Sequence, residues 1–226
     1  LKKLKLVFIS ADYISFYYRI KDVADWIDYG YYQAWGIHYP GLNWRDSRNY
    51  SSFMLYTPLN SVKYILSGDK KGMSKNVKPD GFNPEDSAGY KDRITDSSGL
   101  FRARYHTNII NYSREAENTE HLEKLILALK KKGVEVILIN APVFSTYSKF
   151  LDTGIIHHTS NIVQQIVAKF NCRYKDYSMD RRFSITDYHD NDHLNYTGAA
   201  KFTKVLDSEF VVPLLAAEHK NDLGFK

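Results

Sequence analysis

One segment, Val134–Ile139, constrains the fold of this chain more than any other feature. Its sequence, VEVILI, is almost continuously apolar and is as long as a typical strand. A strand of a parallel sheet that is covered on both faces has this composition, whereas apolar and polar residues alternate in a strand with one solvent-exposed face. An amphipathic stripe precedes it, with leucine or isoleucine at 122, 125, 126 and 129. The pair predicts a buried parallel strand beside a helix.

The same alternation of helix and strand continues toward both ends of the chain. Apolar runs predict strands at 4–9, 134–139 and 173–177, and helical stripes predict helices over 118–132 and 197–210. Another apolar stripe falls on Ile162, Val163, Ile166, Val167 and Phe170. Strands that alternate with helices are typical of an α/β fold with a parallel sheet.

Residues 17–99 do not share this regularity. They begin with aromatic, helix-like patterns, and the part from Gly68 to Gly99 is polar and holds five of the 12 glycines. Long connections of this kind are uncommon in compact domains unless they are functional or mobile. We therefore expect 1–226 to be one domain in which 17–99 is an insertion, either a mobile surface segment or a lid.

Composition excludes several classes of protein. The net charge is +5 and is spread along the chain, so the sequence does not indicate nucleic-acid binding. The single cysteine, Cys172, rules out an intrachain disulfide and a four-cysteine zinc site. No apolar run reaches the roughly 18–20 residues of a membrane span. We predict no cofactor.

The segment richest in chemistry is Asp187–Gly198, just before the last predicted helix. Within it, Asp190 stands three residues before His193. A carboxylate at that spacing in a turn can accept a hydrogen bond from the imidazole Nδ1–H, which leaves Nε2 available as a base. The spacing therefore makes Asp190 and His193 candidate catalytic residues.

Two other interpretations of this segment stay open. The first is a surface Asp–His pair that only caps the last helix. A metal site is the second alternative, because carboxylates and imidazoles are ligands for divalent cations. The candidate ligands would be Asp187, His189, Asp190, Asp192 and His193. No H-E-x-x-H or calcium-loop spacing supports a metal, and we predict none.

Residues Tyr188–Ala199, followed by Lys201 and Phe202, resemble the last block of the SGNH/GDSL hydrolase superfamily. The likeness is greatest to its membrane-anchored bacterial branch, which is associated with surface polysaccharides. It extends over most of 1–16 and 100–210. Three further segments contribute to it: Leu4–Phe16, Arg104–Thr107 and Gly133–Val143.

The resemblance implies a three-layer α/β/α, flavodoxin-like fold with a parallel sheet. It implies a Ser–His–Asp mechanism in which His193 is the general base and Asp190 orients it. The implied activity is that of a carbohydrate esterase or O-acyltransferase acting on a cell-surface polysaccharide or another acylated sugar. The implied location is periplasmic or on the cell surface, with a membrane anchor upstream.

The chain departs from the family at the nucleophile. The family's Gly-x-Ser block has no match here, and we expect it, with the first strand, to precede Leu1 in a longer protein. The 226 residues alone would then be inactive. Ser10, which follows the first strand, is the candidate nucleophile within the chain. A non-catalytic carbohydrate-binding or assembly module that keeps the fold is the alternative function.

Two further residues are candidates for contacts with substrate. Asn140 directly follows the predicted strand 134–139, at a position that could face a cleft at the sheet edge, and turn formation before Pro142 is the alternative for it. His106 lies in the Arg104–Thr107 stretch, and a partly buried structural histidine is the alternative for it.

Overall fold

The computed structural model describes residues 4–19 and 94–222. Nearly all of them belong to one compact unit of the chain, Leu1–Tyr17 together with Pro84–Lys226. The helical patterns that we noted within 17–99, and most of the predicted insertion, lie outside the described residues.

The described residues form a small parallel sheet and several helices. The strands are β1 (Leu6–Ser10), β2 (Glu135–Asn140) and β3 (Arg173–Asp176). The helices are α1 (Asp96–Asn108), α2 (Glu115–Lys130), α3 (Ser145–Ser148), α4 (Thr153–Phe170), α5 (Tyr196–Leu206) and α6 (Val212–Asp222). Short 3-10 helices span Tyr112–Arg114 and Ile185–Asp187, and a π-helical turn spans Asp207–Val211.

The sheet has the order β1-β2-β3, and both pairings are parallel. In the register, Ser10 is opposite Ile139, and Asn140 is opposite Asp176. The three predicted strands are confirmed, with bounds that differ from the prediction by at most two residues. Their carboxyl ends meet at one edge of the sheet, as parallel strands require.

Helices cover both faces of the sheet, which explains the apolar sequence of β2. Val136 and Leu138 pack in a core cluster with residues of α2 and α4. Ile137 and Ile139 point to the other face, where they pack in a second cluster with Val205 of α5. Because successive side chains of a strand alternate between faces, both sets must be apolar. The predicted mixed α/β class is confirmed.

The last predicted helix is longer than expected and is interrupted. Helix α5 begins at Tyr196 behind the N-cap Asn195 and passes through the π-helical turn into α6. Phe210 of that turn packs edge-to-face on Phe8 of β1, with ring centroids 5.7 Å apart. This contact keeps the π-helical turn packed on the sheet.

No helix among the described residues has the length and apolar character of a membrane span.

The prediction that a loop continues to Gly99 is wrong for its last residues. Residues Asp96–Gly99 already form the first turn of α1. A capping box starts the helix: the Thr95 hydroxyl accepts the Ser98 N–H, and the Ser98 hydroxyl accepts the Thr95 N–H. Serine, threonine and glycine suggested a loop here, but they serve as the cap and as a packing contact of the helix.

Candidate functional site

The segment 188–195 forms a closed loop between the second 3-10 helix and α5. Tyr188 and Leu194 pair across it in an antiparallel bridge, and the His189 N–H donates to the carbonyl oxygen of His193 at 2.8 Å. Asn195 ends the loop and caps α5 by accepting the Gly198 N–H at 3.0 Å. The loop therefore holds its side chains in a fixed geometry although it contains no regular element.

Asp190 and His193 contact each other at the tip of this loop, as their spacing predicts. Nδ1 of His193 lies 2.9 and 3.0 Å from the two carboxylate oxygens of Asp190. One of these oxygens also accepts the N–H groups of Asp192 and His193, at 3.0 and 2.8 Å. An ionised carboxylate accepts hydrogen bonds and has no proton to donate, so the imidazole proton between the two groups lies on Nδ1. Nε2 is left as the basic nitrogen.

The two groups shift each other's pKa values in opposite directions. The hydrogen bond to Asp190 raises the pKa of His193, although burial opposes this. Burial works against ionisation of Asp190, but the hydrogen bond and the charge of His193 outweigh it and lower the pKa of that carboxyl. The His193 side chain is 57% exposed, so a substrate can reach its imidazole.

A second carboxylate, that of Asp192, lies beside the pair and is largely buried. Its two oxygens accept hydrogen bonds from Nε of Arg102, at 2.8 and 2.9 Å. Oδ1 also lies 3.8 Å from Nδ1 of His193, and Oδ2 lies 3.8 Å from Nε2 of His106. Burial raises the pKa of Asp192, while the charges of His193 and Arg102 oppose that rise.

His106 is buried next to this carboxylate. Its Nδ1 lies 2.6 Å from the hydroxyl of Tyr147, and only 7% of the residue is exposed. Burial, and then the charge of Arg102, lower the pKa of His106 to about 4. The imidazole is therefore neutral at neutral pH. Its burial favours a structural role, and its proposed contact with substrate stays a prediction.

The loop lies at the carboxyl-end edge of the sheet. The chain leaves β2 at Asn140, and a few residues later the Phe144 N–H donates to the carbonyl oxygen of Asn191 at 2.9 Å. The side-chain amide of Asn191 then donates to the hydroxyl of Thr146 at 2.7 Å. Ligand sites of open α/β sheets are found at this edge.

Ser10 and Asn140 end β1 and β2 at that same edge. The Ser10 hydroxyl donates to Asp12 at 3.4 Å, and among the described residues no hydrogen bond joins Ser10 to His193. The structure thus brings both residues to the expected edge, and their roles as nucleophile and substrate contact stay predictions.

The candidate metal ligands do not all come together. Ligand atoms of Asp190, Asp192 and His193 lie within 4.8 Å of one another. Asp187 is engaged elsewhere, with Nζ of Lys201 at 3.0 Å and the Ser184 N–H at 2.9 Å. A cation between the other two carboxylates would have to compete with Arg102 and with the backbone donors. We therefore assign no metal to this cluster.

Sequence reasoning missed two members of the site, Arg102 and Tyr147. Arg102 and His106 are four residues apart, a spacing that places them on one face of a helix. The spacing indicates a shared face only within a helix, and α1 was not predicted from the sequence. Tyr147 belongs to the four-residue helix α3, and nothing in its sequence neighbourhood indicates a polar partner.

Comparison with known proteins adds a family but no function. A family model of unknown function matches residues 102–214, half of the chain, so the chain belongs to that family. The match includes Arg102, His106, Asp190, Asp192 and His193. No curated protein and no solved structure matches the chain.

Proposed function

We propose that this chain belongs to an SGNH-type carbohydrate esterase or O-acyltransferase that uses a Ser–His–Asp mechanism. One observation carries the proposal: Asp190 holds Nδ1 of a largely exposed His193 at the carboxyl-end edge of a parallel sheet. In this arrangement Nε2 is a base with a fixed tautomer and access to solvent. The proposed fold is the three-layer, flavodoxin-like form of the superfamily.

In the proposed reaction, Nε2 of His193 removes the proton of a serine hydroxyl while the serine oxygen attacks the ester carbonyl. Asp190 stabilises the imidazolium that results. His193 then returns the proton to the departing sugar oxygen, and an acyl-serine remains. Water or a second sugar hydroxyl attacks this acyl group, with His193 again removing the proton, and free serine is restored.

The substrate that we propose is an acylated sugar of a cell-surface polysaccharide, and the proposed location is periplasmic or on the cell surface. Both follow from the resemblance of Tyr188–Ala199 and its neighbouring segments to the polysaccharide-associated branch. The nucleophile is either Ser10 or the serine of a Gly-x-Ser block in a longer gene product.

A second function, a non-catalytic carbohydrate-binding or assembly module, is favoured by one observation. Among the described residues, the partner of the Ser10 hydroxyl is Asp12, and no serine hydroxyl hydrogen-bonds with His193. Such a module would keep the fold and the polar loop without an acyl-enzyme.

A fluorophosphonate probe distinguishes the two functions, because it reacts with serines that a neighbouring base activates. The probe is applied to the 226-residue chain and to the full gene product, and the labelled peptide is located by mass spectrometry. We expect one labelled serine whose labelling is lost in His193→Ala. Labelling of Ser10 would make it the nucleophile. No labelling of either protein, together with retained binding of an acylated polysaccharide, would establish the module instead.

A further inference from the structure

We propose that Arg102 is a positioning residue for His193. Through its ion pair with Asp192, it fixes the loop that carries the catalytic pair and compensates the second negative charge beside the imidazole. This inference rests on the proposed function, because it concerns the same histidine, but its test does not require turnover.

The ion pair ties helix α1 to the loop across 90 residues of sequence. Nε of Arg102 donates to both oxygens of Asp192, and the Asp192 side chain is only 7% exposed. The Arg102 side chain is 34% exposed, and its removal would leave the more deeply buried charge of Asp192 without compensation, which is locally destabilising. Since Asp192 directly precedes His193, the ion pair holds the stretch of backbone that carries the base.

The ion pair also sets the charge around the imidazole. Nδ1 of His193 lies 2.9 Å from Asp190 and 3.8 Å from Asp192, so two carboxylates face one ring nitrogen. Two uncompensated anions would keep the imidazole protonated to a higher pH, and a protonated histidine cannot act as the base. The guanidinium of Arg102 offsets one of the two.

The other titratable neighbour does not replace Arg102 in this role. His106 lies 3.8 Å from the second oxygen of Asp192, but its pKa of about 4 leaves it neutral at neutral pH. The described charged groups that act on His193 include Asp190, Asp192 and Arg102, and His106 also interacts with it. Among these groups, Arg102 is the cation that balances the carboxylates.

Arginine suits this position better than lysine. The guanidinium carbon of Arg102 lies 5.5 Å from the ring centroid of Tyr105, while Nε contacts the carboxylate. A planar, delocalised cation can stack on a ring and donate to a carboxylate at once, whereas an ammonium is a compact point charge. Arg102→Lys should consequently keep the positive charge but lose the geometry of the contact with Asp192.

The test is a titration of His193 by nuclear magnetic resonance of its ring protons, in the wild-type chain and four variants. We expect Arg102→Gln to move the midpoint to higher pH and Asp192→Asn to move it to lower pH. The double variant should return it toward the wild-type midpoint, because both charges are then removed. Arg104→Gln, on the exposed side of the same helix, is the matched control and should leave the midpoint unchanged.

Asp192→Asn keeps the shape of the side chain, so it tests the inference even if Arg102→Gln does not fold. Superimposable His193 titrations in the wild type and Asp192→Asn would overturn the positioning role, whether or not the protein hydrolyses esters. Shifted titrations in a protein that the fluorophosphonate probe never labels would support Arg102 and refute the esterase proposal. In an active protein, the acid limb of kcat/KM should follow the same shifts.

Discussion

Gly99 in helix α1 lies directly against the backbone of Thr146 in helix α3. A Cβ atom on residue 99 would stand 1.8 Å from the Thr146 carbonyl oxygen, far inside any real contact distance. The same Thr146 holds Asn191 of the site loop through its hydroxyl. The spacing between these two helices thus depends on a residue without a side chain.

Gly99→Ala should therefore destabilise the protein although alanine is the better helix former. We expect a loss of about 2 kcal/mol or more in the free energy of unfolding, since backbone atoms must move to admit the methyl group. Urea denaturation measures it. Gly154→Ala is the matched control, because its Cβ would meet only a side-chain oxygen of Asp152, at 3.1 Å. Equal stabilities of the two variants would contradict the close packing.

Asn195 uses its whole side-chain amide, and its replacement should be costly. Its oxygen accepts from Gly198 N–H and the Thr197 hydroxyl, and its nitrogen donates to the carbonyl oxygens of Thr186 and Tyr188. The residue is buried, so Asn195→Ala leaves several polar groups without partners. We expect a loss of about 3 kcal/mol, more than a helix cap alone provides.

Two further variants separate the contributions of the Asn195 amide. Asn195→Asp keeps the capping oxygen but turns another oxygen toward two carbonyl groups, so it should be nearly as destabilising as alanine. Asn111→Ala removes a cap of the same residue type at an exposed position, and should cost about 1 kcal/mol. Thermal unfolding of the three variants checks the order, and a mild Asn195→Asp would show that the two donated bonds contribute little.

The sequence features that predicted structure correctly were local. The apolar run of β2 required a sheet covered on both faces, and the stripe on α2 required a packed helix. The contact of Asp190 with His193 also followed from spacing, because three residues in a turn bring a carboxylate to an imidazole. In each case the interaction partners lie close together in the chain or share one periodic pattern.

What could not be predicted depended on contacts between distant segments. The ion pair of Arg102 with Asp192 spans 90 residues, and neither residue type indicates the other. Helix α1 (Asp96–Asn108) was not predicted, because Thr95 and Ser98 suggest a loop until their reciprocal capping is known. The same is true of the predicted nucleophile: Ser10 lies at the expected edge of the sheet, but sequence spacing does not indicate whether its hydroxyl or another serves His193.

The buried His106 should make the protein sensitive to acid. Its pKa of about 4 in the folded state lies below the ordinary 6.5, so its stabilising contribution is complete above pH 6.5 and is lost as the pH falls toward 4. The loss should be on the order of 3 kcal/mol. In His106→Gln this part of the pH dependence should disappear. His121→Gln, which changes an exposed histidine of α2, should keep the wild-type slope.

Urea denaturation at a series of pH values between 4 and 7.5 measures this effect. Titration of the assigned His106 ring protons gives the same information directly. A wild-type slope in His106→Gln would mean that other groups cause the acid sensitivity.

Asp190→Asn should lower the pKa of His193 and reverse part of its linkage to stability. In the wild type the folded-state pKa of His193 is raised, so its contribution is present below the ordinary value and is lost as the pH rises through the folded one. The variant should thus lose more stability at pH 6 than at pH 9, by about 1 kcal/mol or less for so exposed a pair.

If the protein is an esterase, kcat/KM of Asp190→Asn should fall by about 10⁴-fold, because the tautomer of His193 is no longer fixed. Asp96→Asn, at an exposed position of α1, is the control for a lost surface charge and should change neither the His193 titration nor turnover. An unchanged His193 midpoint in Asp190→Asn would contradict the pairing on which the proposed function depends.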